Sequence, residues 1–124
     1  MTPATLLFRQ AHPNFVDGAQ ITSQVFMPFP KDEGLLSVYD GDQITAAASY
    51  EHYTQILEFE SHSVWAVTKA EADADGVPAG PDPLDDSPAH SKIDFTGKSD
   101  KDCRKAAKRL KKKAQDRGCQ FLPP

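Results

Sequence analysis

Hydrophobic positions along the chain repeat every second residue in some stretches and at helical spacing in others, and each change of period marks an element. Residues 5–10 (TLLFRQ) read as a first strand. In residues 20–27, Ile21, Ser23, Val25 and Met27 alternate with Thr22, Gln24 and Phe26, which predicts a second strand. The prolines and glycine of 28–34 (PFPKDEG) predict a turn, and 35–39 (LLSVY) a third strand closed by Asp40-Gly41. Residues 20–39 therefore read as a hairpin. Asp42 is a suitable N-cap for a helix over about 43–58. Stepping 100° per residue puts Ala46, Tyr50, Tyr53 and Leu57 on one core-facing stripe and turns His52 toward solvent. Residues 62–69 (HSVWAVTK) are the clearest strand. Val64 and Ala66 lie on one face, Trp65 and Val67 on the other, and two apolar faces suit a central strand.

The next stretch, 71–89, changes character. It holds four prolines, two glycines, six acids and no base, and predicts a long exposed loop. Residues 90–95 (HSKIDF) follow as a strand with Ile93 and Phe95 inward. Ser99 caps a last helix over about 100–117, which Gly118 ends. Its apolar stripe is Cys103, Ala106, Ala107, Leu110 and Ala114, and residues 119–122 make a short final strand. The order predicts one α+β domain over 1–124. Its mostly antiparallel sheet would have five to six strands, with two helices packed on one face.

Composition narrows the class. The chain has 124 residues, 39% hydrophobic and 26% charged, a balance that excludes a disordered or membrane-embedded chain. No apolar run approaches the ~20 residues of a membrane span, and no leader pattern opens the sequence. Cys103 and Cys119 show neither a CxxC spacing nor a disulfide framework, so a reduced, cytoplasmic setting is expected.

Charge supplies the main functional clue. Residues 1–97 carry four basic and fifteen acidic side chains, whereas 98–117 carry ten basic and three acidic ones. Lys101, Lys105, Lys108 and Lys112 recur along one helical line, with Arg109 beside it. The split implies either mutual neutralisation within the fold or charged partners outside it. A protein partner bound by charge complementarity is the leading expectation, in the manner of a small accessory, antitoxin or immunity subunit. Nucleic acid bound through the basic helix is an alternative. That helix lacks the interleaved aromatic residues that single-strand binders stack on bases.

Candidate chemistry is sparser. The run Glu71, Asp73, Asp75, Gly76 resembles the opening of an EF-hand calcium loop, with Asp82 at the twelfth place. Glu stands where Asp is usual, the twelfth residue is short, and Pro78 and Pro81 fill the second half, so an acidic loop is expected and no metal site. His12, His62 and His90 fall at strand ends, where loop-borne sites gather. His62 and His90 would act as an acid–base pair if they met at one sheet edge. Arg9 is the one arginine of the acidic region, and with His12 and Ser23 it would form an anion pocket. These residues define an alternative, a small enzyme on a phosphate-containing substrate. No phosphate loop, nucleophile elbow or zinc signature supports it, so the balance leans away from catalysis, and no cofactor is implied. Phe15 and Phe29, on loops, are candidate anchors for a protein contact.

Overall fold

The computed structural model describes all 124 residues and is α+β. Strands β1 (Leu6–Ala11), β4 (Leu35–Asp40), β5 (Ser63–Thr68), β6 (Ala79–Pro81) and β7 (His90–Asp94) form an antiparallel sheet in the order β5-β1-β4-β7-β6. Strands β2 (Val16–Asp17) and β3 (Gln20–Ile21) form a separate two-stranded ribbon. The helices are α1 (Ala46–Glu51), α2 (Lys69–Ala74) and α3 (Asp100–Arg117). α1 runs on into a π-helical turn, His52–Ile56.

The two faces of the sheet bury different clusters. Leu7, Ala11, Leu36, Val38, Trp65, Val67 and Ile93 point to one face, where Cys103, Ala106, Ala107, Leu110 and Ala114 of α3 complete a 19-residue core. The stripe read from the helical spacing is therefore the stripe that is buried, and Ser99 caps α3 through its side chain. Phe8, Tyr39, Val64 and Ala66 point to the other face, where Tyr50 and Tyr53 cover them. The two long helical segments thus divide between the faces instead of sharing one, because both faces of β1 and β5 are apolar and each needs a cover.

Three local expectations change. Residues 20–27 are not one strand: after β3 the chain enters a 3-10 turn, Ser23–Phe26, that buries the adjacent Val25 and Phe26 against the α3 side. β4 accordingly pairs with β1 and β7, and the 20–39 hairpin does not form. β5 is an edge strand of the sheet, and its outer side is closed at Val64 by a bridge to Phe121. The 71–89 stretch is not one open loop. Thr68 and Glu71 cap α2 reciprocally, Ala72, Val77 and Ala79 are buried, and β6 pairs with β7. Small apolar residues set among acids and prolines are enough to anchor it.

Gly41 ends β4 where only glycine fits. A Cβ there would lie 2.7 Å from the Leu6 carbonyl oxygen, to which the Gly41 N–H donates at 2.8 Å. From that point β1 and β4 pair at Leu7–Asp40 and Phe8–Tyr39, and then the ladder stops.

Leu110 is fully buried at the centre of the α3 stripe. Leu110→Ala is expected to cost about 3 kcal/mol in urea unfolding, from lost burial and the cavity left behind. A loss under about 1 kcal/mol would mean that α3 does not close the main core.

Candidate functional site

The ladder stops at Arg9. Instead of a backbone pair with β4, the Arg9 side chain reaches across the gap. Its Nε donates to the Val25 carbonyl at 2.7 Å and its Nη1 to the Ser37 carbonyl at 2.9 Å. One guanidinium thus joins β1, β4 and the 3-10 turn. No carboxylate forms an ion pair with it. Burial pulls its pKa down from the ordinary guanidinium value, and the fields of Tyr53 and Asp32 oppose that shift. The group stays charged, since arginine starts so far above neutrality.

A pocket of about 450 Å³ opens in this gap, lined by Arg9, Gln10, His12, Asn14, Phe15, Val25, Phe29, Lys31, Tyr53, Glu58, Phe59 and Glu60. Two aromatic pairs form its walls. Phe15 and Phe29, from the turns on the α3 side, have ring centroids 6.1 Å apart. Tyr53 and Phe59, from the π turn and its exit, are 5.2 Å apart. Glu58 takes a left-handed backbone, φ 59°, and turns the chain so that the Phe59 N–H returns to the Tyr53 carbonyl. A non-glycine residue held there costs ~1 kcal/mol. At the mouth, the His12 Nδ1 accepts from the Asn14 N–H, and its Nε2 lies 3.8 Å from Glu60.

Arg9 and His12 therefore meet in one pocket, as the sequence suggested, but Ser23 does not line it. Ser23 lines a shallow groove beside Lys108, Lys111 and Lys112. His62 and His90 do not meet. His62 lies beyond the Ala11 end of β1, whereas His90 is level with Tyr39 and Phe8 on β7. Three strand spacings of ~4.8 Å also separate them. An acid–base pair of these two is ruled out by topology.

The pattern of the sequence missed a second cluster. His52, expected in solvent, has a side chain only 10% exposed. The widened π turn breaks the 100° stepping, and the 82–89 segment folds back over the helix. The Tyr39 hydroxyl and the His52 Nδ1 are 2.7 Å apart, and the His52 Nε2 faces Asp86 at 3.3 Å. Burial, then the nearby Tyr53 and Asp86, push the Tyr39 pKa well above its ordinary value. The buried His52 Nε2 makes no hydrogen bond. The Tyr39–His52 bond ties β4 to the π turn. His90 sits beside it, its Nδ1 2.7 Å from the Asp82 carbonyl oxygen.

The basic helix is half neutralised. Asp75, almost wholly buried, accepts from the Arg109 Nε at 2.9 Å and from the Lys113 Nζ at 3.2 Å. Arg117 lies 3.0 Å from Glu71 and also donates to the Ala66 carbonyl of β5. Arg109 is thereby paired, although its side chain stays half exposed. Lys101, Lys105, Lys108 and Lys112 are exposed, and of these only Lys112 forms an ion pair, with Asp116 one turn away. The acids with calcium-loop spacing do not converge. Glu71 and Asp75 serve α3, and Asp73 bonds Lys69.

Set against known proteins, the chain matches no family model, no curated protein and no solved structure.

Burial favours the protonated form of Glu71, but the bonds from Arg117 and Thr68 outweigh it and hold the pKa below the ordinary carboxyl value. Such a group adds stability that is complete above the unfolded value of ~4.3 and is lost as pH falls through the folded one. Glu71→Gln should lower Tm at about pH 7 and converge with the wild type once the pH falls below the folded value. A difference undiminished at low pH would show that the ion pair is not its source.

Proposed function

We propose that the protein is a non-enzymatic binding module that engages an acidic surface of a protein partner through the free face of α3. The observation that supports this most is the division of charge on α3. One edge of the helix is consumed by Glu71 and Asp75. Lys101, Lys105 and Lys108, together with Arg104, have no acidic partner although the whole chain is net negative. Mutual neutralisation therefore accounts for only part of the basic run.

The line of lysines does not serve the fold. Like charges three and four residues apart on a helix each cost ~0.2–0.5 kcal/mol, so the line opposes helix formation by roughly 1 kcal/mol in all. Its length favours a compact partner over a continuous polyanion. From Lys101 to Lys112 the helix rises ~16 Å. Asp100 and Asp102 at one end and Asp116 at the other close the positive surface. A phosphate backbone running on past either end would meet those acids, and no aromatic side chain lies along the line to stack on a base. A bounded acidic patch on a protein fits within the limits. The isolated cysteines suit a reducing, cytoplasmic location for this association.

Capture from the source cells with the wild type and with a Lys101→Glu/Lys105→Glu/Lys108→Glu variant, both treated with nuclease, tests the reading. A discrete protein retained by the wild type and lost by the variant is expected. Recovery of no protein once nucleic acid is digested, or of the same proteins by both forms, would contradict it.

A further inference from the structure

The pocket in the β1–β4 gap is independent of the basic helix and has its own chemistry. We propose that it binds a monocarboxylate carried on an aromatic ring. Arg9 is anchored by the carbonyls of Val25 and Ser37 through Nε and Nη1, and its Nη2 donates to no group of the protein. A guanidinium fixed in this way keeps donors in hand and loses little freedom when an anion arrives. Internal carboxylates that would normally satisfy it are absent from its ion-pair range.

The walls select what the anion is attached to. Phe29 and Phe59, both lining the pocket, are 41% and 54% exposed, large apolar side chains left in water. A ring seated between the two aromatic pairs would cover them, and offset or edge-on ring contacts add to the burial. The volume of about 450 Å³ falls in the range of small-molecule sites.

The charge balance disfavours more than one added negative charge. Lys31 adds to Arg9, while Glu58 and Glu60 offset both, so the rim is near neutral. A carboxylate on Arg9 completes one ion pair there. A phosphate dianion would bring a second charge toward the two glutamates. The same chemistry is offered by a free aromatic acid and by the C-terminal aromatic residue of a peptide.

NMR titration with 3-phenylpropionate, 3-phenylpropan-1-ol, phenyl phosphate and the peptide Gly-Gly-Phe tests the proposal. The acid should shift the Arg9 Nε–H and the ring signals of Phe29 and Phe59, and should bind about tenfold tighter than the alcohol, the worth of one charge-assisted bond. Phe59→Ser, at an exposed position outside the buried core, should weaken the acid at least threefold, about the effect of removing one ring face. Arg9→Lys should lose most of the affinity; if that variant fails to fold, the acid–alcohol comparison and Phe59→Ser still decide. Tighter binding of Gly-Gly-Phe assigns the site to a peptide terminus, and tighter binding of the free acid to a small molecule. Equal affinity for acid and alcohol, a preference for phenyl phosphate, or shifts confined to the α3 lysines would overturn the proposal.

Discussion

Arg9 replaces a stretch of backbone ladder with a side chain. Where β1 and β4 part, its guanidinium donates to a carbonyl on β4 and to another on the 3-10 turn Ser23–Phe26. Hydrogen bonds to a charged group contribute ~1.5–3 kcal/mol each, so the two together are comparable with a large part of a small domain's stability. Much follows from this placement. The turn that Arg9 holds presents Val25 and Phe26 to the core on the α3 side, and the gap that Arg9 bridges becomes the pocket between the two faces of the sheet.

The same economy governs charge on α3. Acids of α2 and its exit hold one edge of the basic helix, and Arg117 adds a bond to the backbone of β5. Gln115 accepts from the Ile21 N–H and donates to the Ala19 carbonyl, tying the helix to the small ribbon. α3 is thus fixed on both flanks by polar bonds and underneath by small apolar residues. What remains is an outward line of lysines on a rigid support, which suits a surface whose role is recognition.

How much of this the sequence announces depends on how local the cause is. The α3 stripe and its Ser99 cap were legible because a long helix repeats one signal many times. The α+β class was legible from the succession of periods. The 20–27 segment misled because alternation of Ser23, Val25 and Met27 looks like a strand, while the burial of neighbouring Val25 and Phe26 needs a 3-10 turn. The 71–89 segment misled because acids and prolines outnumber the few small residues, Ala72, Val77 and Ala79, that anchor it. His52 and Arg9 lay beyond the reach of periodicity. The surroundings of His52 come from a strap some thirty residues later, and the partners of Arg9 are backbone carbonyls, which no residue type advertises.

The most direct test of this account is the NMR signal of the Arg9 side chain among the four arginines of the chain. A Nε–H resolved from those of Arg104, Arg109 and Arg117, slow to exchange with water and coupled across its hydrogen bond to the Val25 carbonyl carbon, is the predicted result. An Arg9 Nε–H that exchanges as fast as that of the exposed Arg104, with no coupling to Val25, would contradict it, and the pocket would lose the anchor on which its chemistry rests.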